Sequence, residues 1–181
     1  MNDLEFFEEF LRRIKGGEIE LTPVSVREYL EEKRKELPWA STVLEYGKEF
    51  KSPSEKDARL VYENIVSFDF PKEECFSNSL KMGISCKKDL SINYVEGFTI
   101  SPPNEKLIHA WNSSGDKVMD TTWNLFSHFT DYMGIEFPPE FVQDLFTTYF
   151  KKSGGDRSKG SILMFWDIYK DPVLEYLRAR S

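Results

Sequence analysis

Three short runs of strand-forming sequence, set between helical segments, constrain the fold of this chain more than any other feature. The runs cover about 92–100, 106–112 and 116–122, and turn clusters rich in Ser, Pro, Asn and Gly separate them at 101–104 and 113–116. Strands joined by such short turns pair as an antiparallel meander. Helices, then an antiparallel meander, then helices predict an α+β fold.

The chain before these strands is predicted to be mostly helical. Apolar residues recur at helical spacing up to Gly16, a second helix is predicted from Thr22-Pro23 to Pro38, and a third begins at Ser54. Residues 38–52 carry no such pattern and are predicted to be irregular. We interpret this part of the chain as scaffold.

The chain after the strands is predicted to be helical again from Trp123 onward. An amphipathic helix begins at Pro138-Pro139 and ends at Gly154-Gly155, and a short terminal helix begins at Asp171-Pro172. The 181 residues suit a single domain. Its parts are a helical N-terminal part (1–66), a catalytic core (70–137) and C-terminal helices (138–181).

The charge balance and the cysteine count exclude several classes of partner and setting. The chain has 31 acidic and 24 basic side chains, a formal net charge of −7, which argues against nucleic acid or an anionic membrane as a partner. No apolar run approaches the ~20 residues that span a membrane, and the acidic first residues do not fit a signal peptide. Two cysteines cannot form a disulfide framework, so we expect a cytoplasmic protein.

The second hairpin brings an imidazole and a carboxylate together. If its turn centres on Ser114-Gly115, Trp111 opposes Val118 and His109 opposes Asp120. Directly opposed residues of an antiparallel pair share a face, with Cβ atoms ~5 Å apart. The turn alone therefore predicts that His109 and Asp120 are within hydrogen-bonding range.

A thiol precedes this hairpin in the chain. Pro71 and the acidic residues after it indicate the first turn of a helix that contains Cys75 and ends at Gly83. The start of a helix stabilises a thiolate through its dipole and free N–H groups, and the N–H of Phe76 could stabilise an oxyanion. A thiol, a histidine and an acid in this chain order predict Cys75 as nucleophile, His109 as base and Asp120 as the group that orients it.

Several of these residues have alternative interpretations. Glu96, on the neighbouring strand, is a rival orienting acid for His109, and Asn78 lies one helical turn after Cys75, where it could orient substrate or cap a backbone group. Glu73 and Glu74 oppose a thiolate at Cys75.

The remaining tryptophans, histidine and cysteine are interpreted as structural. Trp111 and Trp123 are expected in the core, and Cys86 and His128 are expected to have no chemical role. Zinc bound by the two cysteines and two histidines is not favoured, because these residues lack the close spacing of zinc ligands. We predict neither a metal nor a cofactor.

Four segments resemble a known family of enzymes. They are Glu-Cys-Phe-Ser-Asn-Ser (74–79), Tyr-Val-Glu-Gly-Phe (94–98), His-Ala-Trp-Asn (109–112) and Val-Met-Asp-Thr-Thr-Trp (118–123). Together they resemble the core of the transglutaminase-like branch of the papain-like cysteine enzymes, in which the catalytic residues follow in the order Cys, His, Asp. The chain is most similar to small bacterial and phage proteins of this type, in which a Tyr-x-Gly segment, here 132–134, follows the Asp.

The resemblance implies a fold and a chemistry. The fold is a papain-like core, with the helix of the nucleophile packed on the antiparallel sheet. The chemistry is that of a cysteine hydrolase or acyltransferase, whether protease, deamidase or transglutaminase-like, acting on a protein, a peptide or another amide. The alternative is a catalytically idle member of the fold that binds a protein, such as a host factor if the gene is of phage origin. Two departures are Glu74, where many transglutaminases have Trp, and the absence of the papain-type glutamine upstream of Cys75.

Overall fold

The computed structural model describes residues 3–19, 25–65, 70, 74–85, 92–101, 105–149 and 161–181. The predicted mixture of helices and an antiparallel sheet is confirmed. The helices are α1 (Asp3–Lys15), α2 (Val26–Glu32), α3 (Ala40–Tyr46), α4 (Glu55–Ile65), α5 (Cys75–Ser85), α6 (Pro139–Tyr149) and α7 (Trp166–Arg178), with a 3₁₀ helix at Asn124–Phe129. The strands are β1 (Lys48–Phe50), β2 (Asn93–Ser101), β3 (Glu105–Ser114), β4 (Lys117–Met119) and β5 (Asp131–Phe137). No helix within the described ranges is long and apolar enough to cross a membrane.

The strands form a curled sheet in the order β1-β5-β2-β3-β4, with antiparallel neighbours throughout. Its two edges meet, because Lys51, next to β1, forms a bridge with Lys117 at the start of β4. Lys48 of β1 also donates from Nζ to the carbonyl oxygen of Gly115 at 3.1 Å. The curl gives the sheet an outer face and an enclosed inner face.

The outer face carries the main hydrophobic core, against which α2, α3, α5, α6 and α7 pack. Its buried members from the sheet are Tyr94, Phe98, Ile100, Ala110, Met133, Ile135 and Phe137. The inner face holds a smaller cluster of Phe50, Val95, Trp111, Val118 and Tyr132. Because successive side chains alternate between faces, His109 lies on the inner face with Trp111.

Two opposed glycines allow this inner face to be filled. Gly97 of β2 pairs directly with Gly134 of β5 and, on its other side, with His109 of β3. A Cβ added to Gly134 would lie 2.8 Å from Cη2 of Trp111, and one added to Gly97 would overlap the carbonyl oxygen of Met133. The indole of Trp111 thus occupies the space that a side chain at position 134 would need.

The hairpin register differs from the prediction. β4 covers three residues rather than 116–122, and the observed pairs include Ser114 with Lys117 and Ser113 with Val118. These pairs leave Gly115 and Asp116 as the two loop residues. The first position of such a loop requires a positive φ, and the φ of Gly115 is 66°. The prediction that His109 opposes Asp120 is wrong by two residues. A shift of two keeps every side chain on its face, so Asp120 remains on the side of His109.

The first half of the chain contains elements that the sequence did not indicate. The second helix ends at Glu32 rather than Pro38, because the charged residues after it offer no apolar face to bury. Residues 38–52, expected to be irregular, contain α3 and β1. The predicted start at Thr22-Pro23 lies outside the described residues, whereas Ser54 opens α4 as predicted and accepts the N–H of Asp57 at 3.1 Å.

Three further boundaries are corrected. β5 lies where helix was predicted after Trp123, because a strand buried on both faces lacks the alternating pattern. α7 begins at Trp166 rather than Asp171, with Pro172 in its interior, and its buried face overrides the proline signal. α5 continues through Gly83, where a Cβ would lie 2.7 Å from Cγ of Pro139. α6 begins at Pro139 as predicted; its predicted end and the turn at Pro71 lie outside the described residues.

Candidate active site

Cys75 is the first residue of α5. The carbonyl oxygen of Glu74 accepts the N–H of Asn78 at 2.8 Å, which makes Glu74 the N-cap residue of the helix. The N–H groups of Cys75 and Phe76 therefore belong to the first turn, where a helix supplies no carbonyl partner. The thiol is half-buried, and α5 packs against β3 and β2. These N–H groups and the thiol lie at the same helix end.

His109 links the thiol to a carboxylate. Its Nε2 lies 2.7 Å from Oδ2 of Asp120, and both side chains are buried. The thiol of Cys75 lies close enough to the ring to raise its pKa, and Nδ1 is the nitrogen that the contact with Asp120 leaves available. Burial opposes charging of the ring, but Asp120 and then Cys75 outweigh burial and raise the pKa of His109 to about 10. The geometry therefore favours an imidazolium whose anionic partner is Asp120.

Asp120 follows β4 directly and accepts hydrogen bonds on both oxygens. Oδ1 accepts the backbone N–H groups of Thr122 and Trp123, each at 2.9 Å. Oδ2, which faces His109, also accepts the hydroxyl of Tyr132 at 2.9 Å. Burial raises the pKa of the Asp120 carboxyl, yet the charge of His109 and these hydrogen bonds hold it below its usual value. Asp120 is therefore a buried but ionised carboxylate.

Two indoles flank the ring of His109. Trp123 stacks on it with a centroid distance of 4.5 Å and an interplanar angle of 19°, and Trp111 lies at 6.2 Å and 20°. Trp111 is fully buried, as predicted for a core residue. Trp123, also predicted in the core, is half-buried and covers the ring of His109. Aromatic faces favour a cation and exclude water, so both support a charged His109.

Glu96 is not the orienting acid, so that alternative is wrong. Its direct partner on β3 is Ala110, which places it on the outer face, opposite His109. There the carboxylate accepts the Tyr94 hydroxyl at 2.7 Å, the Ser161 hydroxyl at 2.6 Å and the Ile162 N–H at 2.9 Å. Burial raises its pKa, although these donors act in the opposite direction. Glu96 anchors the turn before α7 to β2.

Phe76 and Asn78, which were predicted to bind an oxyanion or the substrate, have different surroundings. The side chain of Phe76 lies in the main core, so its backbone N–H is the part that faces the thiol end of α5. Asn78 is fully buried, and its Nδ2 lies 3.4 Å from Oγ1 of Thr122. Asn78 thus connects α5 to the loop that follows Asp120.

The second imidazole of the chain, that of His128, does not join this site. Nδ1 of His128 lies 2.8 Å from the carbonyl oxygen of Pro53, which fits the predicted structural role. Cys86 lies outside the described residues. Within the described part of the chain, no three His, Cys, Asp or Glu side chains are grouped to hold a metal ion.

Tyr132 belongs to the site, although it was named only as part of a motif. Its hydroxyl reaches Asp120 from β5, a strand that the sequence did not predict. The Tyr-x-Gly segment was the available signal: Tyr132 contacts Asp120, and Gly134 leaves room for Trp111.

Comparisons with known proteins add no assignment. A scan against protein-family models, a search of curated proteins and a search of solved structures found no match to this chain. A thiol at a helix start, a histidine that contacts it and an ionised acid behind the histidine form a set that can transfer a proton from sulfur to nitrogen.

Proposed function

We propose that this protein is a cysteine hydrolase or acyltransferase that acts on an amide bond. Cys75 is the nucleophile, His109 the base and Asp120 the orienting acid. The observation that carries the proposal is the position of His109, which contacts Asp120 through Nε2 at 2.7 Å and lies close enough to Cys75 for the thiol to raise the pKa of the ring. The family resemblance of segments 74–79, 94–98, 109–112 and 118–123 points in the same direction.

The reaction follows from these contacts. His109 takes the proton of Cys75, and the thiolate attacks the amide carbonyl to form a tetrahedral adduct. The N–H groups of Cys75 and Phe76 stabilise the oxyanion. His109 then returns the proton to the leaving amine as the C–N bond breaks, which leaves a thioester on Cys75.

The second half of the reaction decides between hydrolysis and transfer. Water or a second amine attacks the thioester while His109 accepts its proton, and the thiolate of Cys75 leaves and is reprotonated. Asp120 keeps the ring oriented and stabilises the imidazolium in both halves. The substrate we propose is a protein or peptide amide in the cytoplasm.

Acylation of the intact protein tests the proposal. An activated ester should add its acyl group to Cys75 in the wild type, read as a mass increase and located by peptide mapping. His109→Ala should slow this step by orders of magnitude, and Asp120→Ala combined with His109→Ala should cost little more than the worse single change, because the residues act as one unit. His128→Ala is the matched control and should leave the rate unchanged.

The pH dependence of alkylation separates an enzyme from an idle binding module. At neutral pH, Cys75 should react with iodoacetamide faster in the wild type than in His109→Ala, because the variant lacks the base that takes the proton of the thiol. Curves of rate against pH that superimpose for the two proteins would contradict the proposal and favour the binding module.

A further inference from the structure

A tyrosine hydroxyl shares a carboxylate oxygen with the histidine of the site. Tyr132 donates to Oδ2 of Asp120 at 2.9 Å, and Nε2 of His109 lies 2.7 Å from the same oxygen. All three residues are at most 2% exposed. Water therefore does not compete for this oxygen, and the hydroxyl is a fixed neighbour of the imidazole–carboxylate pair.

The hydroxyl of Tyr132 is itself held in place. Burial and the charge of Asp120 raise the pKa of Tyr132 well above its usual value, and the side chain of Ser127 acts in the opposite direction. Tyr132 thus remains neutral and keeps its proton for Asp120. A line of contacts runs from the 3₁₀ helix through Tyr132, Asp120 and His109 to Cys75.

We propose that Tyr132 is a positioning residue of this site: its hydroxyl keeps Asp120 ionised and lowers the proton affinity of His109. The catalytic meaning of this inference rests on the proposed function. The groups that face His109 are Cys75 from α5 and Asp120 from the loop after β4, and Tyr132 acts through Asp120. Glu96 lies on the other face of the sheet and takes no part.

The direction of the effect follows from the charge that the hydroxyl faces. A donor stabilises a carboxylate most when the neighbouring imidazole is neutral, because an imidazolium already balances part of the charge. Removing the donor therefore penalises the neutral ring more than the charged ring. His109 then binds its proton more tightly. This hinders the attack of water or an amine on the thioester, because the ring must be neutral to act as base in that step.

The titration of His109 tests this inference without any turnover. The chain has two histidines, so NMR can follow the ring of His109 against pH in a Cys75→Ala background, with His128 as internal reference. Tyr132→Phe should raise the proton affinity of His109 by about tenfold, the worth of one hydrogen bond to a charged group. An unchanged midpoint in the folded Tyr132→Phe protein would overturn the inference.

Tyr94→Phe is the matched control. It also removes a buried hydroxyl that donates to a buried carboxylate, Glu96, but on the opposite face of the sheet. Tyr94→Phe should leave the His109 midpoint in place, whereas a general loosening of the fold would move it in both variants and overturn the inference. If Tyr132→Phe does not fold, Ser127→Ala decides, because it weakens the hold on Tyr132 and should shift the midpoint in the same direction by less.

The outcomes for the inference and for the proposed function are separate. If the His109 midpoint shifts in Tyr132→Phe but Cys75 of the wild type is not acylated, the role of Tyr132 is supported and the proposed enzyme activity is contradicted. Acylation in the wild type together with an unshifted midpoint would retain the enzyme and remove this role of Tyr132.

Discussion

Replacing Asp120 by asparagine should reverse the direction of one hydrogen bond at the centre of the site. The amide oxygen of Asn can keep the two backbone N–H bonds that Oδ1 now accepts at 2.9 Å. The NH₂ group then takes the place of Oδ2 and donates to Nε2 of His109. Nε2 becomes an acceptor, so the ring proton moves to Nδ1, the nitrogen that faces Cys75, and the ring cannot take the proton of the thiol.

The size of this effect differs between activity and stability. A reversed tautomer in a triad of this kind lowers the rate by about 10⁴, so Asp120→Asn should slow acylation of Cys75 to that extent. The variant keeps the two backbone bonds but loses the bond that Oδ2 accepts from the Tyr132 hydroxyl, because an NH₂ group cannot accept it. The loss of such a charge-assisted bond costs roughly 1.5–3 kcal/mol of folding free energy. The pKa of His109 should fall, because the charge of Asp120 is what raises it most.

Single-turnover acylation at pH 7 measures the rate, and urea unfolding measures the stability. Asp131→Asn is the control, since Asp131 accepts the Val26 N–H at 2.7 Å at the start of α2, away from His109. That variant should lose stability and keep its acylation rate. A rate for Asp120→Asn within tenfold of the wild type would refute the orienting role of Asp120.

Two further outcomes are expected. Limiting iodoacetamide at neutral pH should label Cys75 before Cys86, as peptide mass spectrometry would show, because Cys75 combines a helix start with a histidine; preferential labelling of Cys86 in the folded protein would count against the nucleophile. Gly134→Ala should cost about 1–3 kcal/mol in urea unfolding, because the new methyl group meets Trp111, whereas an unchanged midpoint would show that the inner face is loosely packed.

The contact between His109 and Asp120 could be predicted, although its register was wrong. Turn residues located the hairpin, and the two-residue period of a strand fixed which side chains share a face. The location of the hairpin and the shared face of His109 and Asp120 are unchanged when the register shifts by two residues. The position of the loop depended on the positive φ of Gly115, and the turn cluster 113–116 offered several centres of similar quality.

The contribution of β5 could not be predicted, because no local pattern marks it. The strand lies between β1 and β2 and is buried on both faces, so its apolar residues do not alternate. β1 covers three residues and pairs only with β5 among the described strands. Because β5 could not be predicted from the sequence, β1 could not be predicted either. The position of Tyr132 in the site is therefore set by the pairing of β5 with β2, which the spacing of residues along the chain does not show.

The strand order also sets a time course for assembly of the site. β3 and β4 are joined by a two-residue loop and close quickly, whereas β5 must find β2 across a long stretch of chain, where Gly97 meets Gly134. His109 and Asp120 can thus meet in an early hairpin, and Tyr132 arrives only when β5 docks. We therefore expect the hydrogen bonds of Asp120 to be complete only late in refolding, when β5 has joined β2.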